Sequence, residues 1–167
     1  MTATNHEERV NSGQRSARLP ISAPHPGIRH ILAPTDLTEP SAPSVEYALW
    51  LAREFDAKLT LFHVWDIPER VGVTPGMASL EHMREDRDRA EEAFYNLNQR
   101  IRARHLATDS FFLAGDPCAL IVSAAKSLSA DLIVISAHHY SWLSRLIGRS
   151  DAERVMRSAG CPVLVIH

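Results

Sequence analysis

The sequence predicts an α/β domain, a doubly wound parallel sheet of five strands in the order 3-2-1-4-5 with four helices. Two observations lead to the α/β class and the parallel sheet, and the order is that taken for a doubly wound sheet of five strands. Five short apolar runs recur along the chain, mostly β-branched or aromatic and continuous rather than alternating, as suits strands covered on both faces. Between them lie longer segments with apolar residues at helical spacing and readable ends. Strand and helix therefore alternate, which gives parallel pairing through right-handed crossovers.

The elements follow in order. Residues 1–27 mix Asn, Ser, Gly and Arg with Pro20, Pro24 and Pro26 and show no periodicity. Such a segment does not repay its ordering entropy, so a disordered tail is expected ahead of one domain at 28–167. The first strand is Ile28 to Ala33. The first helix runs from about Pro43 to Phe55, with Val45, Ala48, Leu49 and Ala52 on one face and Ser41 or Ser44 as its cap. Leu59 to Val64 is the second strand. The second helix spans about Ser79 to Arg104 on a stripe of Met83, Ala90, Phe94, Leu97 and Ile101, and the mixed charges from Arg84 to Glu92 form its solvated face. Ser110 to Leu113 follows as the third strand. Asp116-Pro117, a cap and a first-turn proline, opens a third helix that ends near Leu128. Leu132 to Ile135 is the fourth strand. Ser150 with Glu153 makes a capping box for the fourth helix, and Cys161-Pro162 launches the last strand, Val163 to Ile166. Trp50 and Trp65 are expected in the core or at its edge. The long irregular segments are Trp65 to Ala78 and Ala137 to Arg149, and in the latter Tyr140 and Trp142 are candidates for an exposed partner anchor.

Composition narrows the partners. Of the 167 residues 45% are hydrophobic and 23% charged, and 18 Lys plus Arg against 20 Asp plus Glu give a net charge of -2. No global positive field is present to hold nucleic acid or an anionic membrane. The apolar runs fall far short of the roughly 20 residues of a membrane span. The amino terminus has no apolar run behind a basic start, so a cytoplasmic location is expected. Cys118 and Cys161 stand far apart, outside any metal-ligand spacing, and read as core-filling residues in a reducing compartment.

In a doubly wound sheet ligands collect beyond the carboxyl ends of the strands, where the winding reverses. That point lies between the first and fourth strands, followed here by Pro34-Thr35-Asp36 and by Ser136-Ala137-His138-His139. Asp36 has two readings, acceptor for a ribose hydroxyl or a base amino group, or a polar turn residue capping the loop to Ser41. His63, His138 and His139 fall near one rim, with Asp36 or Asp66 as a carboxylate, but the spacing matches no metal motif. No metal is expected other than Mg²⁺ with a nucleotide. The phosphate-binding and dinucleotide glycine motifs, the G-x-S-x-G elbow and H-E-x-x-H are all absent. Ser123, Ser127 and Ser144 sit on no strand-to-helix elbow and read as ordinary polar residues.

Five segments carry a family resemblance: ILAPTDLTEPS at 31–41, LTLFHVWDIP at 59–68, GDPCALIVSAA at 115–125, ADLIVIS at 130–136 and SRLIGRSDAERVMRSAGCPVLVIH at 144–167. Through them the chain resembles the universal stress protein family over about residues 28–167. The resemblance implies a flavodoxin-like, adenine-nucleotide-hydrolase-like fold. It also implies a homodimer joined through the terminal strand, here Pro162, Val163, Leu164, Val165 and Ile166. Members that bind ATP place an acid at the position of Asp36, make backbone contacts near Val64 and wrap the phosphates in G-x2-G-x9-G-[ST]. Glycine serves there because phosphate oxygens approach backbone N–H groups in a nest that a side chain would fill, at a helix start that favours the anion. In this sequence the loop reads S-x2-H-x9-R-S, from Ser136 through His139 and Arg149 to Ser150. The imidazole of His139 takes phosphate space, while Arg149 and nearby Arg145 offer guanidinium groups in place of the nest.

The resulting expectation is a cytoplasmic dimeric binding and regulatory module of the stress response, with a remnant or weak adenine-nucleotide (ATP) site and no efficient catalysis. The alternatives are a slow ATP hydrolase with Asp36 or His139 as general base, or a partner-binding module using the Trp142 loop and the tail.

Overall fold

A computed structural model describes residues 27–66, 77–137 and 151–167. The expectations placed on residues 1–26, on Tyr140 and Trp142, and on the capping box of Ser150 lie outside the described residues. Within them the order is β1 (His30–Pro34), a 3-10 turn (Glu39–Ser41), α1 (Ala42–Glu54), β2 (Lys58–Trp65), α2 (Met77–Arg102), β3 (Thr108–Ala114), α3 (Pro117–Ser127), β4 (Leu132–Ser136), α4 (Asp151–Ser158) and β5 (Val163–Ile166). The strands form one all-parallel sheet in the order β3-β2-β1-β4-β5. The predicted fold class and strand order are those observed.

Period-2 alternation explains how the sheet sorts its residues. Ile31, Ala33, Leu59, Leu61, Leu132 and Val134 join Val45, Leu49 and Ala52 of α1 and Phe94 and Ile101 of α2 in one buried cluster. Leu32, Phe62, Val64, Ile133 and Ile135 join Cys118 and Ile121 of α3 and Val155 of α4 in the other. A central strand buried on both faces therefore reads as a continuous apolar run. The outer strands are less covered than their runs suggest. Phe111 and Leu113 of β3 are 39% and 40% exposed, and all four residues of β5 are half-buried, because each has a strand on one side only.

Two local expectations, for Trp50 and for the α1 cap, are corrected. Trp50 is 50% exposed rather than core; it shares the outward face of α1 with Tyr47, three residues earlier, the ring centroids 5.2 Å apart. Trp65 is half-buried at the end of β2. Neither Ser41 nor Ser44 caps α1. Ser41 has helical dihedrals itself and makes no cap bond, while the Ser44 hydroxyl donates back to the Ser41 carbonyl at 2.8 Å. The 3-10 turn supplies the entry instead, with a proline in the first turn of each helical piece. By contrast Asp116 caps α3 as expected, its carboxylate accepting from Ala119 N–H at 2.7 Å. Gly115 before it has φ +148, a conformation that a side chain resists, and a Cβ there would lie 3.1 Å from Leu120. Cys118 is buried and Cys161 half-buried.

Candidate functional site

The winding reverses between β1 and β4, so the strands' carboxyl ends open a crevice there. Register fixes what meets at that edge. His30 to Pro34 of β1 pair with Lys58 to Phe62 of β2, and the ladder continues as Thr35 N–H donates to Phe62 C=O at 2.9 Å. Carried on, the same offset sets Asp36 level with Val64. Pairing of Ile31 with Leu132 and Leu32 with Ile133 likewise sets Thr35 level with Ser136. The Ser136 hydroxyl donates to Pro40 C=O at 3.3 Å, tying the end of β4 to the β1–α1 connection.

That connection is held by its own side chains. The Asp36 carboxylate accepts from Thr38 N–H at 3.0 Å and from the Thr38 hydroxyl at 2.6 Å, a turn in which the Asp side chain stands in for a backbone carbonyl. The buried Thr35 hydroxyl accepts from Leu37 N–H at 3.1 Å and meets the Ser41 hydroxyl at 3.1 Å. Ser41 also donates to Thr38 C=O at 2.9 Å. These bonds hold Leu37 at φ 63, a left-handed conformation that costs a residue with a Cβ about 1–2 kcal/mol. The turn role expected of Asp36 is present, though through Thr38. An ionised carboxylate offers about four acceptor positions, more than the two bonds to Thr38 use.

Beneath the loop sits His63. It is 6% exposed, and one ring nitrogen, Nδ1, donates to Thr35 C=O at 2.8 Å. Nε2 is buried with no hydrogen-bond partner among the described residues. The ring lies against Phe112 and Phe94, at centroid distances of 5.0 and 5.9 Å. Burial pushes the imidazole's pKa below its usual value, while the Thr35 carbonyl and the Asp36 charge act in the opposite direction. His63 thus supports the chain just before Asp36 from below.

Of the residues singled out from the sequence, Pro34, Thr35, Asp36, Val64 and Ser136 come together at one edge. His138, His139, Arg149 and Ser150 lie outside the described residues. No group of His, Cys, Asp and Glu among the described residues is arranged to hold a metal, and no described helix is long and apolar enough to cross a membrane. Thr38 and Ser41 were missed as parts of the loop scaffold. The D-x-T spacing at Asp36 and Thr38 was the legible signal for the first, since Asp side chains bond the backbone two residues on.

Comparison with known proteins identifies the family and the fold. The model of the universal stress protein family matches residues 27–167. Universal stress protein MJ0531 of Methanocaldococcus jannaschii is 32% identical over 139 residues, 83% of this chain and 81% of that protein. Among solved structures, universal stress protein UspA from Lactobacillus plantarum shares the fold with a TM-score of 0.69 at 24% identity, over 84% of this chain and 98% of that one. A universal stress protein in complex with cAMP gives a TM-score of 0.62 at 20% identity, over 85% of this chain and 99% of that one.

Proposed function

The chain belongs to the universal stress protein family, and from that premise we propose that it is a cytoplasmic, dimeric binding and regulatory module of the stress response. Its crevice between β1 and β4 is a weak adenine-nucleotide site without efficient catalysis. The observation that carries the reading is the seating of Asp36, clasped by Thr38 just past β1 at the reversal of winding, level with Val64. A carboxylate so placed accepts from a ribose hydroxyl or an adenine amino group, and the backbone at Val64 offers the base a flat apolar edge with hydrogen-bonding groups. The neighbour solved with cAMP supports an adenine nucleotide carrying one phosphate.

The weakness is argued from sequence. Ser136, His139 and Arg149 stand where nucleotide-binding relatives place glycine, so a triphosphate loses the backbone nest that would hold it. Calorimetric titration with ATP, ADP and AMP, with and without Mg²⁺, tests the proposal. Expected are dissociation constants weaker than micromolar and AMP binding no worse than ATP. Asp36→Ala should weaken binding at least tenfold, about 1.4 kcal/mol. The pair His139→Gly and Arg149→Gly should tighten ATP. Micromolar or tighter ATP binding by the unaltered chain would reject the weak site.

The dimer is proposed through β5, the sheet edge beyond β4, whose half-buried Val163 to Ile166 present backbone groups that a second copy can pair. Sedimentation should show a dimer at micromolar concentration; a monomer there sinks this part of the proposal.

A further inference from the structure

A groove of about 340 Å³ runs between the start of α1 and the last turns of α2, under the β1–α1 connection, a volume in the range of small-molecule sites. Of the described crevice residues only Thr35 reaches it; Asp36, Val64 and Ser136 do not line it. Its lining includes the apolar Leu37, Val45, Leu97 and Ile101. The left-handed φ of Leu37 belongs to the loop conformation that forms this wall.

Charge in the groove is uneven. Arg104 holds Glu46 with two hydrogen bonds of 2.7 and 2.8 Å. That bond, with the charges of Arg104 and Arg100, keeps the Glu46 carboxyl below its ordinary pKa. Two guanidinium groups from the end of α2 and just after it therefore face one carboxylate of α1, while Glu39 stands on the loop side. We propose that the groove binds a small amphipathic monocarboxylate. Its carboxylate pairs with Arg100 beside the Glu46–Arg104 bridge, and its apolar body lies along Leu37, Val45 and Leu97. Guanidinium and carboxylate match as two parallel N–H···O bonds, and beside Glu46 the two guanidinium groups of Arg100 and Arg104 disfavour an amine. Glu39 disfavours a second anionic group at the other end, so a dicarboxylate of the same length is a poor fit. The inference does not depend on the nucleotide reading.

Calorimetry on the full chain without nucleotide tests it, with octanoate, suberate and octylamine as probes. Octanoate should saturate one site at submillimolar concentration, with suberate and octylamine at least tenfold weaker. Arg100→Gln should weaken octanoate at least tenfold. Ala93→Trp, at the exposed rim, should abolish binding while leaving the urea midpoint unchanged. Octylamine binding as tight as octanoate, unaltered affinity in Arg100→Gln or in a folded Ala93→Trp, or no saturation by millimolar octanoate would each overturn it.

Discussion

Leu61→Ala is expected to lower the free energy of unfolding by about 2–5 kcal/mol, a large fraction of the roughly 5–15 kcal/mol that holds a domain together. Leu61 lies in β2 between Ala33 of β1 and Ser110 of β3, and it is 0% exposed. Its side chain belongs to the cluster shared with Leu49 of α1 and Phe94 and Ile101 of α2. The backbone around it is fixed by ladders on both sides, so the space left by truncation cannot close by moving one strand. The transfer term and the cavity term then add. Leu106→Ala, at a turn residue 84% exposed, should change stability by less than about 0.5 kcal/mol. Urea unfolding of both variants measures the contrast, with equal slopes confirming that the same surface is exposed. A loss below about 1 kcal/mol at Leu61 would mean that the site relaxes where a closed core forbids it.

The reason Leu61 is so enclosed is also the reason the sheet was legible in the sequence. Central strands flanked by helices on both faces need mostly apolar residues, and IRHILA, LTLFHV and LIVI supply them, with Thr60 and His63 as the buried polar exceptions in β2. Strand number, helix number and the Asp116 cap follow from such local signals. Exposure along β3 and on α1 does not. Whether Phe111 or Trp50 is covered depends on which face its backbone turns outward and on what lies beyond the sheet edge. Propensity carries neither fact. The α1 entry failed for a related reason: with Pro40 and Pro43 close together the chain tightens into a 3-10 turn, and the serines bond backwards instead of capping.

For the candidate site, position along the chain located the crevice, because the carboxyl ends of the first and fourth strands meet wherever the winding reverses. Of the way the loop is held, the D-x-T spacing at Asp36 and Thr38 was legible and the rest was not. Ser41 on Thr35 is a contact between two hydroxyls brought together by the turn itself, and His63 reaches the Thr35 carbonyl from β2, 28 residues along the chain. The groove between α1 and α2 was equally hidden, since Glu46 and Arg104 are 58 residues apart and the helical pattern assigns both to solvent.

His63 gives the second large effect, and its sign depends on pH. In the unfolded chain its imidazole takes up a proton near 6.5. In the folded chain burial lowers that pKa. Above pH 6.5 neither state carries the proton and the contribution of the buried neutral ring is fully present. Below 6.5 the unfolded state gains a proton that the folded state refuses, so stability falls by up to about 1.4 kcal/mol per pH unit until the folded ring titrates too. His63→Leu removes this dependence together with the bond to Thr35 C=O, and losing that donor should cost about 1–3 kcal/mol at pH 7.5. The gap between the unaltered chain and His63→Leu should then narrow as the pH drops toward 5.5. His63→Asn, which keeps an N–H near the place of Nδ1 but does not titrate, should recover part of the loss at pH 7.5. All other histidines are common to these proteins, so the difference in urea midpoints isolates position 63. A gap of constant size from pH 7.5 to 5.5 would show that the folded ring accepts its proton as readily as the unfolded one, which the Phe94 and Phe112 walls around an unpaired Nε2 do not allow.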